Sequence, residues 1–139
     1  TGFNKAQLWA IKPDGKGDVT NTHVAWKYLK GVPNKPTPMI LGKELFMVSD
    51  DGIVTCLDAI TGEEIWKERI GGAYSASPLY VEGRLYLFSH TGEIVVLQPG
   101  RELKILAEST LGDGFMASPA VVDDALILRS KTHLYRIQK

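Results

Sequence analysis

Residues 78–97 read PLYVEGRLYLFSHTGEIVVL, and the same pattern stands on either side of them. Upstream, residues 38–57 read PMILGKELFMVSDDGIVTCL; downstream, residues 119–137 read PAVVDDALILRSKTHLYRI. The opening prolines, 38, 78 and 119, set a period of 40 to 41 residues. Leu45, Leu85 and Leu126 keep that period, as do Ser49, Ser89 and Ser130, and Gly31, Gly71 and Gly112 ahead of each proline. Trp26 and Trp66 are also 40 apart. Agreement at this many offsets marks internal repetition of one supersecondary unit.

Each unit reads as four short strands. In the middle unit these are Ser77 to Val81, Arg84 to Ser89, Glu93 to Gln98 and Leu103 to Ser109. Pro78 opens the first, where a missing N–H costs little. Glu82-Gly83, His90-Thr91-Gly92 and Pro99-Gly100 supply the turns. Apolar residues fill both faces of the middle strands, as in Leu45-Phe46-Met47-Val48 and Ile94-Val95-Val96-Leu97. A sheet covered on one side alternates more cleanly, so both faces are covered. Similar sheets stacked face to face around an axis satisfy that demand. The sequence therefore predicts an all-β fold: a partial β-propeller of four-stranded antiparallel blades, about three of them, in one domain. The approximate blades are 6–29 (a half blade), 36–70, 77–109 and 117–137, the last lacking its outer strand. The radial arrangement is WD40-like.

Composition narrows the function. Sixteen lysines and arginines balance sixteen aspartates and glutamates, which removes the electrostatic argument for nucleic acid. No apolar stretch approaches the roughly 18 residues of a transmembrane segment. The single cysteine, Cys56, has no intrachain partner and sits on an apolar strand, as a buried, inert thiol does.

The segment 57–66, LDAITGEEIW, carries a family resemblance. It is similar to the tryptophan-docking repeat of quinoprotein (PQQ-type) β-propellers: aspartate, two residues, Thr-Gly, three residues, tryptophan. Asp58 and Thr61 can cap the turn, Gly62 can take the left-handed conformation, and Trp66 can pack on the next blade with a partner for its indole N–H. The motif is complete once. Around Trp26 the turn is longer, and after Gln98-Pro99-Gly100 no tryptophan follows; Leu103, Ile105 and Leu106 occupy that strand. The resemblance implies a C-terminal part of a longer propeller, completed by its remaining blades or by another copy of the chain. It also implies an extracytoplasmic location, periplasmic or secreted.

Two functions follow from the resemblance. The first is a non-catalytic scaffold for a protein or peptide partner, without cofactor. The alternative is a fragment of a PQQ- and calcium-dependent quinoprotein dehydrogenase. The alternative requires calcium-ligating oxygens, and many alcohol-oxidising members also carry a cysteine pair. Asp50-Asp51-Gly52 lacks the further oxygens of a calcium loop, and the corresponding turns, His90-Thr91-Gly92 and Ser130-Lys131-Thr132, share no metal chemistry. His23, His90 and His133 show no ligand spacing. No catalytic, cofactor or metal residue is therefore assigned. Loop position gives Asn34, Lys35, Asp50, Asp51, Tyr74, His90, Phe115 and Lys131 as the partner-binding candidates. Tyr74 and Phe115 occupy equivalent places between units, and packing between blades is the favoured role for both, a recognition platform the alternative.

Overall fold

The computed structural model describes residues 5–138, and among them every regular element is a strand. A two-stranded sheet comes first, β1 (Leu8–Ile11) against β2 (Val24–Tyr28). Next is a four-stranded meander of β3 (Met39–Leu41), β4 (Glu44–Val48), β5 (Ile53–Asp58) and β6 (Glu64–Arg69). The meander repeats in β7 (Leu79–Val81), β8 (Arg84–Phe88), β9 (Glu93–Gln98) and β10 (Lys104–Thr110). A three-stranded sheet ends the series: β11 (Ala120–Val122), β12 (Ala125–Arg129) and β13 (Leu134–Gln138). All pairings are antiparallel between neighbours in sequence, and the four sheets do not close on one another.

Three apolar seams hold the sheets together, and the two-residue period of a strand assigns each side chain to its seam. Leu45 and Met47 of β4 turn back toward Tyr28 and Val32. Phe46 and Val48, one residue along, turn forward toward Leu85, Leu87, Val95 and Leu97 of the next sheet. Phe88 and Ile94 then face Leu128 of the fourth sheet, with Phe115 between them. The middle strands of the two complete sheets thus carry apolar side chains on both faces, because each face has a neighbouring sheet to meet. Val48, Cys56 and Leu57 are wholly buried as a result.

Tryptophans lock two of the seams from outside. The Trp66 indole N–H donates to the Gly100 carbonyl in the following sheet at 3.0 Å, and its ring packs at 6.2 Å on Phe46. The Trp26 indole N–H donates to the Ala59 carbonyl at 3.3 Å. The turn that receives Trp26 is built by Asp58, whose carboxylate accepts the N–H of Ile60 at 2.9 Å and of Thr61 at 3.0 Å. Gly62 closes that turn at φ +75°, and a Cβ there would lie 2.5 Å from the Trp26 ring. Position 62 therefore needs glycine twice over, for its backbone and for the indole. The third seam has no tryptophan. A cavity of about 410 Å³ opens there, lined by Val81, Tyr86, Leu126 and Ile137.

Candidate partner-binding edge

The turns between second and third strands and the links between sheets share one end of the stack. Backbone bonds hold them together: the Tyr74 N–H donates to Asp50 O at 3.0 Å, His90 N–H to Ala73 O at 2.8 Å, and Phe115 N–H to Ser89 O at 2.9 Å. Beneath each turn a buried serine organises the loop. The Ser49 hydroxyl oxygen accepts the Ile53 N–H, Ser89 accepts that of Glu93, and Ser130 accepts that of His133.

The repeat places a pair of side chains across this edge in each unit. Lys35 meets Asp50 at 3.8 Å, and the same carboxylate accepts the Asn34 backbone N–H at 2.6 Å. Forty residues on, the His90 ring bonds the Ser75 hydroxyl at 2.8 Å. In the last unit the corresponding residues are Met116 and Lys131. Met116 is exposed, and the Lys131 ammonium donates to the His90 carbonyl at 3.3 Å. Lys131 thereby ties the fourth sheet's turn to the third's. A pocket of about 390 Å³ adjoins the first pair and is lined by Asn34, Lys35 and Asp50 along with Leu29 and Val32. Asp51 faces outward, accepting from the Ser49 hydroxyl and pairing with Arg69 at 3.2 Å. The Ser49 bond, then Arg69, hold its carboxyl below the usual range.

Tyr74 and Phe115 belong elsewhere. Each is 1% exposed, bridged to Ser89 and Ser130 respectively, and packed in an apolar seam. Phe115 meets Phe88 edge-on at 5.6 Å. Neither ring reaches a surface; both are packed between neighbouring sheets. Burial, with the charge of Glu93 next, pushes the Tyr74 phenol up to about 12. Half-buried Ser75 and exposed Met116 take the places beside them, and only the repeat offset from Lys35 could have pointed to either.

A second repeated contact runs along the innermost strands. The Thr37 N–H donates to the Ser77 hydroxyl at 3.0 Å, and the Ser77 N–H donates to the Ser118 hydroxyl at 2.9 Å. Each residue precedes the opening proline of its unit. The ladder needs a hydroxyl one position before Pro78 and before Pro119, a signal present in the repeat but legible only once the sheets are set side by side.

Among the described residues no three His, Cys, Asp or Glu side chains gather as metal ligands. The Asp50 carboxylate is engaged by Asn34 and Lys35, and that of Asp51 by Ser49 and Arg69.

A radial stack of antiparallel four-stranded units, sealed by tryptophans docked on the following turn, defines a β-propeller of the quinoprotein repeat type. Solved structures agree. BamB from Moraxella catarrhalis matches with a TM-score of 0.61 at 15% identity, over 77% of this chain and 31% of that one. A europium-containing methanol dehydrogenase matches at 0.57 and 19% identity, over 75% and 21%. A curated outer membrane protein assembly factor BamB from Marinobacter adhaerens is 26% identical over 91 residues, which is 66% of this chain and 23% of the relative. The family profile described as outer membrane protein assembly factor BamB matches residues 4–130, and the chain belongs to that family. It spans about a quarter of the length of the curated relative.

Proposed function

We propose that the chain is a non-catalytic propeller scaffold that binds a protein or peptide partner during outer-membrane protein assembly, outside the cytoplasm. Membership of the assembly-factor family across residues 4–130 carries this reading. The loop edge supplies the surface. Its paired polar side chains sit on turns fixed by backbone bonds and buried serines, so recognition groups are held on a rigid frame. Asn34, Lys35, Asp50, Asp51, His90 and Lys131 are the contact residues, joined by Ser75 and Met116. The likeness to dehydrogenases extends to the fold alone. No helix among the described residues is long and apolar enough to cross a membrane.

The test uses a urea-unfolded outer-membrane β-barrel protein, diluted into the protein under native conditions. A photo-crosslinker at position 116 or 131 is expected to capture it, and one at exposed Ile60, on a turn at the opposite end of the sheet, to capture far less. Equal capture at the two ends would refute the edge as the site. Adding PQQ with calcium is expected to give no dye reduction; reproducible turnover with an alcohol would refute the non-catalytic reading.

A further inference from the structure

The fourth sheet carries two arginines where the preceding sheets bury apolar side chains. Val48, Phe88 and Arg129 each precede the repeated serine. Cys56, Val96 and Arg136 each precede the residue paired with Leu45, Leu85 or Leu126. Val48 and Cys56 are 0% exposed and Phe88 is 1% exposed, each inside the seam to the following sheet. Arg129 and Arg136 are exposed.

Register puts both on one face. Arg129 pairs with Leu134, and Ile127 with Arg136. The opposite face, with Leu126, Leu128 and Tyr135, fills the third seam. The outward face therefore presents two guanidinium groups among Val122, Ile127 and Leu134, with Val122 53% and Leu134 71% exposed. The Arg129 Nε donates to the Ser130 carbonyl at 3.1 Å, and an Arg136 Nη donates to the Gln138 side-chain carbonyl. Among the described residues neither arginine forms an ion pair. A guanidinium has five N–H donors in a planar fork suited to a carboxylate, so most of that capacity is unused.

The other open face of the stack is also cationic. Leu8, Trp26 and Tyr28 pack into the first seam, which turns Trp9 and Lys27 outward. The Lys27 ammonium lies 3.6 Å over the Trp9 ring. A second copy of the chain, stacked head to tail or face to face, would set arginine against lysine or arginine against arginine. Burying like charges together is strongly unfavourable. An all-apolar sheet would strand both guanidinium groups without partners.

We propose that the β11–β13 face is covered by the next sheet of the radial stack, and that this sheet is acidic, offering carboxylates to Arg129 and Arg136 within an apolar surround. The earlier seams specify stacking by shape and apolar contact; this one specifies it by charge, which selects one partner and rejects another copy. The arginines lie on the flat of the sheet and the candidate recognition residues on its rim, so the two surfaces respond to different substitutions.

The probe is a fluorescein-labelled β-hairpin peptide with valine and glutamate alternating along one face, and a control with lysine for glutamate. Fluorescence anisotropy is read at low salt and at roughly 0.5 M salt, where the screening length is only a few ångströms. The acidic hairpin is expected to bind at least about tenfold more tightly than the basic one, and to weaken with salt. Arg129→Leu with Arg136→Leu is expected to erase the preference; Arg129→Glu with Arg136→Glu is expected to reverse it, with circular dichroism confirming the fold of each variant. Equal binding of the two hairpins, or binding of neither, would overturn the proposal. So would a dimer in sedimentation velocity that is lost in the Arg→Leu variant, which would make a second copy the occupant.

Discussion

Removing the Trp66 indole tests how the units hold together. Trp66→Phe deletes the bond to the Gly100 carbonyl at 3.0 Å and keeps a ring against Phe46. A net hydrogen bond is worth about 1 kcal/mol, so the loss is expected near that value. Trp66→Ala also removes the aromatic contact, worth roughly 0.5–1.5 kcal/mol, and the apolar burial of the ring. Because the side chain is partly exposed, its total lies toward the lower end of the range for tryptophan truncation, about 3 kcal/mol. With a urea m-value of about 2 kcal/mol/M, the midpoint falls by ~0.5 M for phenylalanine and ~1.5 M for alanine. Far-UV circular dichroism is the right readout, since tryptophan fluorescence changes with the mutation itself. Trp9 supplies the control. It lies on the outward face, 39% exposed, and among the described residues bonds only its neighbour Gln7 and Lys27, so Trp9→Ala is expected to shift the midpoint little. Docking of Trp66 would be refuted by equal shifts for Trp9→Ala and Trp66→Ala, or by equal shifts for phenylalanine and alanine at position 66.

The buried aromatics give a second test: Tyr74→Ala and Phe115→Ala are each expected to cost about 3–5 kcal/mol in urea unfolding, as core truncations do. Two left-handed glycines differ instructively. Gly83 at φ +75° has open space around it, so Gly83→Ala is expected to cost about 1 kcal/mol; Gly114 at φ +108° would place a Cβ 1.8 Å from the His90 carbonyl, so Gly114→Ala is expected to cost well beyond that or prevent folding, as thermal melts would show. Burial pushes the Cys56 thiol up to about 12, so the native protein is expected to resist a thiol-specific reagent at pH 8 and react once unfolded. The same shift sets an alkaline limit. The fold favours the protonated thiol, so its contribution is complete below about pH 8.5, the unfolded value, and is lost as pH rises toward 12. At the acid end the sign reverses for Asp51, whose depressed carboxyl contributes above about pH 3.9 and loses that contribution as pH falls, a trend that Arg69→Leu is expected to weaken in pH-dependent melts.

Much of the fold is legible in the chain because the repeat encodes it locally. Each hairpin carries its own turn chemistry, so Glu82-Gly83 can be read as a turn without knowing what surrounds it, and both residues indeed take positive φ, at 48° and 75°. The Asp58 turn and its tryptophan are local in the same sense. The rim was less legible. Asn34, Tyr74 and Phe115 hold equivalent positions, yet only Asn34 lies at the surface, because its backbone N–H is drawn to the Asp50 carboxylate while the two rings enter seams. Nothing within one unit distinguishes an aromatic that faces solvent from one that faces the next sheet.

The unit, its period, its turns and the demand that both faces of each sheet be covered are written in the chain, since these depend on propensities and alternation within some forty residues. What meets what is set by the packing of the sheets: Trp26 finds Ala59, Ser77 links Thr37 to Ser118, and Arg129 and Arg136 share an open face. Those contacts join residues some thirty to forty positions apart, or depend on the register of two strands. A face acquires its meaning from the sheet set against it, and strand periodicity alone carries no information about that neighbour.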